Sequence, residues 1–174
     1  MPYLRHAPRH IQRTLQDHIH YHMDLLGWFG TPAPFGTSPA RWITARIDEA
    51  LGSSAVAGNV LAVTFGDELD DEEAQLGGGL AYYDLPLFVD CVGESEPVAL
   101  AMASDVKDVL SGRAPDTSRF VKVREYTTTD TGVAVPWIQL EMTDVIREKG
   151  MGADWRGRWH TVKATVVVTH PGES

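Results

Sequence analysis

From residue 59 onward the chain repeats one device, a run of β-branched and aromatic residues followed by a turn signal. The runs are 59–65 (NVLAVTF), 80–92 (LAYYDLPLFVDCV), 120–127, 133–147 and 159–170, the last containing Val166-Val167-Val168. Such side chains fit a pleated, half-buried surface, so five strands are expected. The first two read as a hairpin with a long loop. The last three read as neighbours joined through Asp130-Thr131-Gly132 and through 149–158.

Helices frame these runs. Ile11, Leu15, Ile19, Met23 and Leu26 recur at helical spacing over 9–26, with Gly27 as a stop. Residues 27–38, with Gly30, Pro32, Pro34 and Gly36, cannot continue that helix and read as a linker. Ser38 as N-cap, Pro39 at the first position and Ile43, Ile47 and Leu51 four apart predict a short second helix ending at Gly52. A third, capped by Ser95, carries one apolar stripe of Val98, Met102, Val106, Val109 and Leu110 and stops at Ser111-Gly112. The expected fold is α+β: a mostly antiparallel or mixed sheet of about five strands packed with two to three helices. It forms a single domain over 1–174, with an N-terminal arm or helix at 1–26.

At 174 residues, 43% of them hydrophobic, the chain can build a core without metal or disulfide. Its lone Cys91 cannot form an internal bridge, which favours a reducing compartment. No apolar run approaches the roughly 20 residues of a membrane span, and the start MPYLRHAPRHIQ lacks a signal-peptide core. A soluble, unprocessed protein without membrane contact is expected.

Charge is segregated along the chain. Residues 1–46 carry five Arg and two acids, whereas residues 47–106 carry thirteen acids and neither Lys nor Arg. The densest patch is Asp67, Glu68, Asp70, Asp71, Glu72 and Glu73, a self-repelling segment that reads as a solvated loop. With a net charge of -9, the chain is poorly suited to gripping DNA through its phosphates.

Sites of chemistry are weak one by one. His18 and His22 share a helix face, with Asp17 and Asp24 near in sequence, but no His-Glu-x-x-His pattern accompanies them. Cys91 lies in an apolar strand with no nearby base to lower its pKa. Gly77-Gly78-Gly79 lacks the spacing of a phosphate loop, and the acidic patch lacks the ligand alternation of a calcium loop. Trp155-Arg156-Gly157-Arg158-Trp159 combines aromatics with bases, as protein interfaces and single-strand binders do, and packing within the chain or on a neighbour is the plainer reading. No catalytic residue, metal ligand or cofactor site is assigned, and the chain is expected not to be an enzyme.

What remains is assembly. An N-terminal helix, a long-looped strand pair, the helix 98–110 (VALAMASDVKDVL), and closing strands with 138–142 (IQLEM) and 161–169 (TVKATVVVT) together resemble the tail terminators of long-tailed, siphovirus-type bacteriophages. The similarity spans about residues 9–170. The insertion 27–52 and the acidic loop have no place in that pattern. The resemblance implies a hexameric ring on the last layer of the tail tube, contacting the tail tube protein below and the head-tail connector above. Genomic DNA would pass through without specific binding, in a virion neck assembled in the host cytoplasm. On this view the acidic loop 67–73 lines the bore, where its field would reach about 8 Å, or docks on the connector. Arg5, Arg9, Arg13, Trp155, Arg156, Arg158 and Trp159 are the expected contacts to neighbouring subunits or the tube. Open alternatives are another neck protein (head completion or connector subunit), a small metal-binding enzyme built on His18 and His22, and a regulator whose acidic surface occupies a basic partner.

Overall fold

The structure, a computed structural model, describes residues 2–28, 42–43, 59–65, 80–125, 133–150 and 158–171. In chain order these form α1 (Pro2–Leu25), β1 (Trp42–Ile43), β2 (Val60–Phe65), β3 (Leu80–Val92), α2 (Glu96–Leu110), β4 (Phe120–Glu125), β5 (Val133–Lys149) and β6 (Trp159–Pro171). The strands lie in the order β1-β2-β3-β6-β5-β4. All pairs from β2 to β4 are antiparallel, and the two-residue β1 adds in parallel at β2. The α+β class expected from the sequence is the one observed.

One part of the reading is corrected. Trp42 and Ile43, placed by the Ile43–Ile47–Leu51 spacing in a second helix, lie in a strand opposite Leu61 and Ala62. Tertiary pairing here outweighs a local helical pattern of only three apolar residues. The rest of that expected helix, and the linker beyond Trp28, lie outside the described residues.

Strand alternation builds the core. Leu61 and Val63, Leu85 to Cys91 at every second residue, Val121 and Val123, Leu140 and Met142, and Val162 to Val168 at every second residue are all at most 8% exposed. Over them lie Ile11, Leu15, Ile19 and Met23 of α1 and Met102, Val106, Val109 and Leu110 of α2, each 0% exposed. Burial of each large side chain contributes about 1.5–3 kcal/mol, which makes this stripe the main reason the helices stay docked.

The helix ends obey the punctuation in the sequence. Ser95 Oγ accepts from Val98 N–H at 3.4 Å and starts α2, with Pro97 in the first turn. At the end of α1, Trp28 N–H reaches Met23 O and Gly27 N–H reaches Asp24 O, a Schellman closure with Gly27 at φ +87° where a side chain would be strained. Trp28, the first residue past that cap, packs on the core, and its Nε1 donates to Asp105 Oδ2 at 2.7 Å, fastening α1 to α2.

The sheet curls until its two outer antiparallel strands flank the same helix. Thr14 of α1 accepts from Arg124 N–H of β4 at 3.0 Å and donates to Arg124 O at 3.4 Å. Two residues on, Gln16 Nε2 donates to Val63 O of β2 at 3.4 Å. Helix α1 therefore fills the seam of an open barrel and satisfies backbone groups on both rims, one of the ways an exposed sheet edge is neutralised.

Candidate functional site

A helix in a seam has little solvent to face. Asp17, His18, His20, His22 and Asp24 are all at most 9% exposed, although Asp17, His20 and Asp24 point away from the apolar stripe by helical periodicity. Burial pushes His18 down to about 3, with His22 adding to the effect, and pushes His20 down to about 4. His22 is lowered by burial too, against the opposing pull of Asp116 in the α2–β4 connection. The His18 and His22 rings meet edge to face, 4.6 Å between centroids, and His18 Nε2 makes no hydrogen bond. Among the described residues no three His, Cys, Asp or Glu side chains converge as a metal site would require. The cluster keeps its imidazoles neutral at pH 7.

The opposite face of the sheet has two halves. Where β2, β3 and β6 run together it is buried, centred on Asp90 at 0% exposure. Asp90 Oδ1 accepts from Thr161 Oγ1 at 2.7 Å and from Trp159 Nε1 at 3.2 Å, which meets the cost of placing a carboxylate there. Across β5, β6 and the first half of β3 the same face is open. Its cross-strand rows are Phe120–Glu141–Val167–Asp84, Thr143–Thr165–Pro86 and Ile146–Lys163–Phe88. Phe120 (42%) and Ile146 (47%) stand exposed on it. Arg119 pairs with Glu141 at 3.6 Å and lies over the Phe120 ring, and Lys163 pairs with Glu148.

The residues singled out from the sequence fare differently. Trp159 is 6% exposed and packs within its own chain, its ring lying directly over Gly150. A Cβ at Gly150 would sit 2.3 Å from Trp159 Cδ2, so glycine is what lets the ring lie down. Arg158 is half-buried beside it. Arg13 leans toward Asp17 at 3.9 Å, while Arg5 and Arg9 belong to the first turns of α1. Trp155, Arg156 and the acidic residues 67–73 lie outside the described residues. Cys91 is buried, and burial together with neighbouring Asp90 holds its thiol well above the usual range, so it is no nucleophile.

Phe120 and Ile146 were missed because single exposed apolar residues in strand runs read as core. Only the register places both on the open face. No known family's sequence model matches the chain, and no characterised protein matches it in sequence.

Proposed function

We propose that this chain is a structural subunit of a bacteriophage neck, a tail terminator that caps the tail tube as a hexameric ring, ends tube growth and joins the tail to the head connector. The open half of the sheet carries the reading. It is broad, built from the three longest strands, and studded with exposed Phe120 and Ile146 between ion pairs closed within the protomer. That mixture of apolar anchors and locally neutralised charge suits packing against protein. The order of helices and strands, matching the sequence resemblance, supports the family, and the acidic balance supports passage of DNA without holding it.

The role assigns the protein no reaction. Its work is shape and electrostatics: a scaffold of helices fixed on one side of the sheet, and a free surface for neighbours on the other. Loss of the gene tests it. A terminator's absence yields overlong tubes and full heads without tails; heads that leak DNA would instead point to a connector or head-completion subunit, and normal particles would refute any neck role.

A further inference from the structure

Strand β5 outruns its neighbour. Pairing with β4 stops at Glu141, with one more bond from Met142 N–H to Arg119 O, while pairing with β6 continues to Lys149. Gly150 N–H bonds Trp159 O, so by alternation Glu148 and Ile146 turn their backbone groups to β6, and Arg147 and Lys149 turn theirs outward. Among the described residues no strand meets this rim.

The other side of the sheet has a matching gap. Among the described residues β2 pairs with β3 only over Leu87 to Val92, and Leu80 to Pro86 pair with β6 alone. Gly93 N–H bonds Arg158 O, so the even-numbered β3 residues Leu80, Tyr82, Asp84 and Pro86 present their backbone to the open side. Pro86, which has no N–H to give, falls on this side and costs the ladder nothing.

We propose, resting on the ring reading above, that the rim at Arg147 and Lys149 in one copy pairs with the rim at Leu80 to Asp84 in a second copy, joining their sheets head to tail. Because the two rims are different surfaces on opposite edges of one sheet, the contact is heterologous, the kind that forms a ring where the rotation between copies closes. Edge strands usually resist such pairing through unpaired charges. Here Lys149 is bonded to Glu96 at 2.9 Å, Arg147 donates to Ser104 Oγ at 3.3 Å and Glu148 pairs with Lys163, so these side chains are engaged within their own protomer. The bulge between Thr143 and Ile146, with Asp144 at φ +51°, marks where the available rim begins, and exposed Ile146 borders it.

Two variants test the contact. Arg147→Pro removes one outward N–H without touching the β6 ladder; the expected result is an unchanged circular dichroism spectrum and loss of the ring in analytical ultracentrifugation. Glu148→Cys with Asp84→Cys, two positions on the sheet face turned away from the helices, oxidised under conditions where the protein assembles, should give a ladder of disulfide-linked multimers ending at the closed ring, because neighbouring strands lie only about 5 Å apart. If wild-type protein forms rings while the cysteine pair stays monomeric and Arg147→Pro assembles normally, the edge contact is wrong and the ring reading stands. If wild-type protein stays monomeric at every concentration, both fall.

Discussion

Acid should loosen this fold well before its carboxylates are all protonated, and the buried histidines set the size of the effect. His18 and His20 have ordinary values of 6.5 in the unfolded chain but are held at about 3 and about 4 when folded. Their folded values are depressed, so between pH 6.5 and 4 the unfolded chain binds more protons and stability falls as pH falls. Above pH 6.5 both states are neutral at these sites and the contribution is flat. At pH 5 each residue withholds about 1.5 protonation decades, about 2 kcal/mol, so the pair costs about 4 kcal/mol relative to pH 7. The one charged neighbour acting on His18 is His22, itself opposed by Asp116, and His20 is shifted by burial alone. Urea unfolding at pH 7, 6 and 5 measures the loss, and His18→Gln should roughly halve its slope. Equal stability at pH 7 and 5, or a slope indifferent to His18→Gln, would refute the reasoning.

Other consequences follow from single contacts. Thr14→Val keeps the volume but removes the hydroxyl that bonds both backbone groups of Arg124, and should cost about 1–3 kcal/mol by denaturant titration. Gly150→Ala drives a methyl into the Trp159 ring and should lower stability by about 1–3 kcal/mol; adding Trp159→Leu should make the alanine tolerable, since the clash is with the indole. Cys91 should resist a thiol reagent in native protein and react only at the rate of unfolding, whereas prompt labelling would place it at a surface.

Much of the fold was legible because its signals are local. The alternation in 80–92 and 159–170, Ser95 as a cap, and Gly27 and Gly112 after the last helical turns each specify their element from neighbouring residues. What was hidden depends on partners far along the chain. Pairing of β3 with β6, which joins Asp90 to Thr161 and Trp159, spans about seventy residues and leaves no mark in either run. Trp159 looked like an interface anchor because its seat, Gly150, is an ordinary loop glycine in sequence. His18 and His22 share a helix face in the sequence, but only the curl of the sheet reveals that α1 lies in a seam. The rims of β3 and β5 that no described strand meets are likewise matters of register, visible once the ends of β2 and β4 are known.

A terminator is defined by where it sits in the particle and by how many copies sit there. Cryo-electron microscopy of finished particles, with this chain carrying a bound antibody fragment for location, measures both at once. A terminator would form a single layer of six copies between the last tube ring and the connector, with each sheet continuous with its neighbour's. Density for the chain elsewhere, or particles that contain none of it, would rule out a terminator.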